Sequence, residues 1–303
     1  MVKNKLNIVV ACVANKSIDI PSDLQFRNIK LDTISNMADL WIDKLKSSTA
    51  PIVEANKLYS GAAWTTLKSA KTISDNLDNF EIDWYIMSVG YGLIKWNQHI
   101  KPYSITFSKP SFDGLRKRVL KQKANTEWWD YITTKRNLQI SDITSIETPT
   151  MILGSTEYIN AIKEDLNKSQ NFMIFSSNYN ARYFLDKHIK THEKLRFITG
   201  GGKADNNARN LKYVLEHISE WGIDLDNINN KLSNIISNIK QELPKSNFKR
   251  KPISEEDAKK VILEMGLDQP MSQYIYKIRN EMDKKISEQL VVGYIQELKN
   301  IKS

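Results

Sequence analysis

The stretch from about residue 148 to residue 222 constrains the fold more than any other. It reads as three units in succession, "TPTMILGSTEYINAIKEDLNKS", "NFMIFSSNYNARYFLDKHIKTHE" and "KLRFITGGGKADNNARNLKYVLEHISEWG". Each has an apolar run, a polar or glycine turn and a helix-patterned segment. Strands joined by helical crossovers pair in parallel, so the succession predicts an α/β fold with a mostly parallel central sheet flanked by helices. Two further runs, "KLNIVVAC" and "EIDWYIMSV", are apolar almost without alternation. That pattern belongs to strands buried on both faces. Ligands of such sheets sit beyond the carboxyl ends of the strands, which directs attention to the loops there.

After Gly222 the pattern becomes helical. "DLDNINNKLSNIISNIKQELPKS" predicts one helix ended by Pro244, and "NFKRKP" predicts a linker. Ser254 with Asp257 three residues on is close to a capping box, and Gly266 marks the end of that helix. The expected organisation is an α/β domain over 1–243 with a strand-end pocket, and a small helical domain over 244–303.

The chain has one cysteine, Cys12, so an internal disulfide and a cysteine-based zinc site are excluded. No run approaches the roughly eighteen apolar residues of a membrane span. The opening "MVKNKLNIVVACVANKS" reads as the first buried strand rather than a leader, giving a cytoplasmic expectation. Net charge is +9, and Lys101 to Arg136 holds nine Lys/Arg against three Asp/Glu. This is a solvated basic surface or a track for a polyanion. On the second reading DNA is the partner. The candidate contacts are Arg116, Lys117, Arg118 and Lys121, with Lys249, Arg250, Lys251 and Arg279 in the C-terminal domain. Trp96, Trp128 and Trp129 flank or interleave the first cluster. They are candidates for base stacking, although the helical spacing of "EWWDYI" puts at least one in the core.

Three of the chain's 11 glycines, Gly200, Gly201 and Gly202, stand together between strand-like "KLRFI" and a helix expected near Asn206. Glycines admit a close ligand, and a helix start offers free N–H groups to an anion. Lys203 and Arg209 would add charge. The spacing is neither Walker A nor GxGxxG, and a plain turn with Asp205 and Asn206 as caps is the alternative. "MSVGYGLIKWNQHIKPY" gathers Ser88, Tyr91, Gly92, His99, Pro102 and Tyr103 after a strand, a pocket wall without the elbow of a serine hydrolase. Cys12 is a small buried residue or a nucleophile. His188 and His192 share a helix face as i,i+4, without a third ligand, so neither metal nor cofactor is expected.

Four motifs occur in order. They are C-x-x-x-K at Cys12 and Lys16, LY-x-G-x-x-W carrying Tyr59, Gly61 and Trp64, S-x-x-YGL carrying Ser88, Tyr91 and Gly92, and I-x-PY carrying Pro102 and Tyr103. This order resembles the YaaA-like superfamily of peroxide-stress and related bacterial DNA-acting domains, over roughly residues 5 to 110 and more loosely to about 222. The resemblance implies action on DNA, and a further likeness, to base-excising glycosylases of phage defence, gives the reading of an N-glycosylase that excises a modified phage base. A base taken from the stack would be clamped by Tyr59, Trp64, Tyr91 and Tyr103. Asp205, assisted by Asn206 and Asn207, would stabilise the sugar cation or activate water. The glycine loop with Lys203 and Arg209 would hold the flanking phosphate. The glycine loop and the helical tail depart from the family pattern. A DNA-binding protein without chemistry and a small-nucleotide hydrolase or sensor are the alternatives.

Overall fold

The computed structural model describes residues 3–30, 32–108, 111–115, 119, 123–177, 184–241, 251–269 and 271–302. The chain divides into two compact units, one of residues 1–109 and 113–243, the other of residues 110–112 and 244–303.

The first unit is α/β. Its apolar runs form the strands β1 (Asn4–Ala11), β3 (Phe80–Ser88), β6 (Thr150–Leu153) and β7 (Phe172–Ser176), and β8 (His188–Lys190) adds a short edge. The short pair β2 (Val53–Glu54) and β5 (His99–Ile100) lies outside the main sheet, and β4 (Gly92–Lys95) forms a hairpin with β3. The six-stranded order is β4-β3-β1-β6-β7-β8, and only β4 is antiparallel. In β1, Leu6, Ile8, Val9 and Val10 are all buried, as expected of a central strand covered by helices on both sides.

From β1 the chain moves one way to β3, through helices Ile34–Ser47 and Ala62–Asp75, and later crosses back to β6 on the other side of β1. The winding therefore reverses between β1 and β6, and a crevice opens at that point beyond the strand ends. Helix Ala124–Arg136 precedes β6 and buries both Trp128 and Trp129. Their indole N–H groups donate to Val89 O at 2.7 Å and Asp165 Oδ2 at 3.2 Å, so both serve the core.

Two of the three predicted units differ from expectation. After β7 comes β8, preceded by a 3-10 turn at Leu185–Lys187, where a helix is expected. Ile189 is the reason: its register beside Phe175 buries it at the sheet edge. "KLRFI" is not a strand. Leu195 ends a 3-10 turn and Arg196–Thr199 is one helical turn with no buried residue, so it offers a sheet nothing to cover. The helix starting at Asn206 runs to Trp221 as predicted and stops at Gly222, φ +72°. The following helix, Leu225–Asn238, ends well short of Pro244.

In the second unit, Ser254 Oγ accepts from Asp257 N at 3.1 Å and caps helix Glu255–Met265, which Gly266 terminates at φ +87°. A parallel pair, β9 (Lys251–Pro252) with β10 (Lys284–Lys285), and a core around Val261, Ile262, Tyr274, Ile278 and Val291 complete it.

Candidate functional site

The carboxyl ends of β1 and β3 carry two of the four motifs, and residues 58–64 and 100–103 bring the other two beside them. Cys12 follows β1 and Ser88 closes β3. Between them stands the Tyr103 hydroxyl, 2.6 Å from Ser88 Oγ, 2.8 Å from Tyr59 OH, and donating to Cys12 Sγ at 3.7 Å. Cys12 Sγ is also 3.2 Å from Tyr158 OH. Burial holds the phenols of Tyr59, Tyr103 and Tyr158 well above the ordinary tyrosine range, so they stay neutral donors and acceptors. Ser88 Oγ also accepts from Tyr91 N at 3.1 Å, which fixes the hairpin turn.

Lys16 closes this cluster. Its Nζ donates to Val13 O at 2.7 Å and lies 4.9 and 5.1 Å from the ring centres of Tyr59 and Tyr103. Burial pushes its pKa down to about 8, against the opposing pull of Cys12 and Asp113. C-x-x-x-K thus places thiol and amine over the same tyrosines. The neighbouring glycine is obligatory: a Cβ on Gly90 would stand 2.8 Å from the Tyr103 ring. Gly61, at φ +103°, starts helix Ala62–Asp75, and Gly92, at φ +75°, starts β4.

The proposed aromatic clamp does not form. Tyr59, Trp64, Tyr91 and Tyr103 are buried, and Pro102 is buried beside them. Trp64 donates to Asn56 O and stacks on Trp96 at 4.9 Å, while Tyr91 OH accepts from Lys101 N at 2.9 Å. These rings are the foundation of the strand ends.

The open space lies next to them. A cavity of about 330 Å³ sits at the β1/β6 reversal. Ala11 to Val13 line it after β1, Leu153 to Ser155 after β6 and Ser177 after β7. Ala63 and Leu67 come from one helix; Lys203, Ala204 and Asn206 to Ala208 come from the start of another. Tyr158 is its one aromatic side among the described residues. Small side chains leave the volume, and amides, hydroxyls and a helix start supply the polar edge. Asn206 and Asn207 are held by Thr191, whose hydroxyl donates to Asn207 Oδ1 at 2.6 Å and accepts from Asn206 Nδ2 at 3.3 Å. Cys12, Lys203, Asn206 and Asn207 are thus brought together. The sequence reading missed Ser155, Tyr158 and Ser177, although the strand-end rule applied to "ILGSTEY" and "FSS" points to all three.

The triple glycine has a different role from the one its spacing predicts. Gly200, at φ +71°, caps the turn before it, its N–H donating to Arg196 O at 2.8 Å. Gly201 adopts φ +90°, and a Cβ there would lie 2.7 Å from Arg209 Nη2 and 2.8 Å from Asp205 Oδ2. Gly202 donates from N to Asp205 Oδ1 at 3.0 Å and accepts from Arg209 Nη2 through its carbonyl. What approaches the glycines closely is the buried Asp205–Arg209 ion pair. Asp205 further accepts from Thr66 Oγ1 at 3.1 Å. Its carboxylate is engaged on three sides and is absent from the lining of the 330 Å³ cavity, so the catalytic role expected of Asp205 has no geometric basis here.

Arg116, Lys117, Arg118, Lys121, Lys249 and Arg250 lie outside the described residues. Lys251 is exposed on β9, facing Lys284 across the pair. Arg279 braces its own unit, with Nε and Nη2 donating to Ile286 O at 3.2 and 2.8 Å. The His188–His192 helix face does not exist, because His188 opens β8, its Nε2 2.9 Å from Ser176 O, and His192 follows the strand.

In comparisons with known proteins, no family model and no curated protein matches this chain.

Proposed function

We propose that the chain acts on DNA as an N-glycosylase, taking a modified base into the cavity beyond β1, β6 and β7. The observation that carries the reading is the cavity itself: about 330 Å³, at the point where the winding reverses, with small walls and amide edges. That volume is at the low end of small-molecule sites, roughly 300–1,000 Å³, the range in which a single flipped base fits. Asn207 lines the cavity with its Oδ1 held by Thr191, which leaves its amide N–H groups for an acceptor on a base edge, and Asn206, bonded to Thr191 and Asn210, braces the wall beside it. Tyr158 brings an aromatic side chain to the wall, and Lys203 stands exposed beside it as a charge for a flanking phosphate. The +9 net charge favours a polyanionic substrate.

The test is incubation with unmodified and hypermodified phage DNA, followed by cleavage at abasic sites. Abasic sites are expected in modified DNA only, and Asn206→Ala is expected to abolish them. No abasic sites in any DNA would overturn the reading.

A second reading, recognition of a modified base without excision, is favoured by the locked Asp205 carboxylate. Tight retention of modified DNA with its bases intact would select it.

A further inference from the structure

A second cavity, about 240 Å³, runs between helices Ala62–Asp75 and Asn206–Trp221. The reading above does not use it. Thr65, Thr66 and Ser69 line one side at helical spacing; Gly200, Gly201, Asp205, Arg209, Lys212 and Glu216 line the other. The helix start therefore serves two spaces, with Asn206 and Asn207 facing the larger and Asp205 and Arg209 the smaller.

Arg209 is the unusual member. It is 3% exposed. Its Nη2 is bound to Gly202 O and Asp205, yet Nη1 is buried with no hydrogen-bond partner among the described residues. A buried donor without a partner costs about 1–3 kcal/mol, more when charged. Guanidinium is also the group best shaped to receive an oxyanion. The charges around it balance: Arg209 faces Asp205, and Lys212 pairs with Glu216 at 3.2 Å. The Lys212–Glu216 pair is partly exposed and so weakly held, leaving Lys212 able to turn to a new partner. Over this arrangement lies the glycine loop, where Cβ atoms on Gly200 and Gly202 would meet nothing within 4 Å. Open space therefore borders the loop at these two glycines.

We propose that this groove binds an oxyanion of the phosphate class on Arg209 Nη1, with the hydroxyl of Ser69 at its mouth and Lys212 at its rim. The source is a free nucleotide or a DNA backbone phosphate. The site stands independently of what the larger cavity holds.

The full chain is titrated at low salt with inorganic phosphate, a 5′-mononucleotide and a short oligonucleotide, with heat or phosphorus NMR as the readout. Saturable phosphate binding is expected. Ser69→Asp, an exposed change that leaves the ion pair intact, places a like charge at the mouth and should weaken it about tenfold or more. Ser69→Lys should tighten it, which a merely structural effect would not do. Mononucleotide binding with the same Ser69 sensitivity identifies a free nucleotide. Oligonucleotide binding that falls steeply with salt and shares that sensitivity identifies the backbone. No binding of any of the three probes, or binding indifferent to both Ser69 variants, overturns the proposal. Abasic-site formation in modified DNA is scored in its own assay, so failure of the glycosylase reading is recognised separately.

Discussion

Beyond β3, Tyr59, Ser88 and Tyr103 close the strand end with a hydrogen-bonded cluster in which both rings are buried. Beyond β6 and β7 the corresponding positions hold Gly154, Ser155 and Ser177, and a cavity remains. Both regions lie on the same carboxyl edge of one sheet, and both are rich in polar atoms. What separates them is side-chain size: buried rings fill the first, and glycine, alanine and serine line the second. Chemistry-bearing residue types mark a site only where the fold leaves space beside them.

Removing the filled side should have the largest effect. Tyr103→Ala deletes a buried ring against Gly90 and Trp41 and should cost about 3–5 kcal/mol in denaturant unfolding. Tyr103→Phe keeps the ring but strips Tyr59 and Ser88 of a shared partner, for about 1–3 kcal/mol. If Tyr103→Ala unfolded like the wild type, the cluster would not be the structural half of the comparison. Gly201→Ala should follow, at about 1–3 kcal/mol, because a left-handed backbone and the Arg209 side chain both oppose the methyl group. On the open side, Ala63→Phe fills space without displacing packed atoms. Its stability change should stay within about 1 kcal/mol while binding of a modified base is lost, and retained binding would move the ligand elsewhere.

Two pH effects are smaller. Lys16 has a folded pKa of about 8 against an ordinary 10.5. Below 8 both states carry the proton and the fold bears the full cost of the buried charge. Between 8 and 10.5 the unfolded chain binds more protons, so this group's contribution rises with pH. The wild-type minus Lys16→Met difference in Tm should climb across that window. Asp130 is raised from 3.8 to about 6, first by burial. Here the folded state binds the extra proton, so the contribution present below 3.8 fades as pH rises through 6. Asp130→Asn should flatten the dependence of Tm on pH over that interval, and an unchanged pH profile would show that Asp130 ionises freely.

The strands that build the sheet's centre were legible because a strand covered on both faces must be almost wholly apolar, as in "NIVVA" and "WYIM". β8 was not, since three residues at an edge, one of them buried, leave no period to read. "KLRFI" misled because a short apolar run says nothing about which side chains find cover, and Ile198 in fact stands exposed. Asn206, Asn207 and Lys203, which the expected helix start singles out in the sequence, line the cavity. Tyr158 was missed because its neighbour across space, Cys12, is 146 residues away in sequence. The pairing of Gly201 with Asp205 and Arg209 was likewise hidden, since glycines that admit a ligand and glycines that admit a side chain look alike in a string of letters.

The chain carries a single thiol, and the fold places it on the cavity wall at the end of β1. A thiol-directed label can therefore attach at one place per molecule, with no background from elsewhere. The rate at which Cys12 accepts a small alkylating probe becomes a gauge of how full that cavity is, readable by intact mass before any substrate is known.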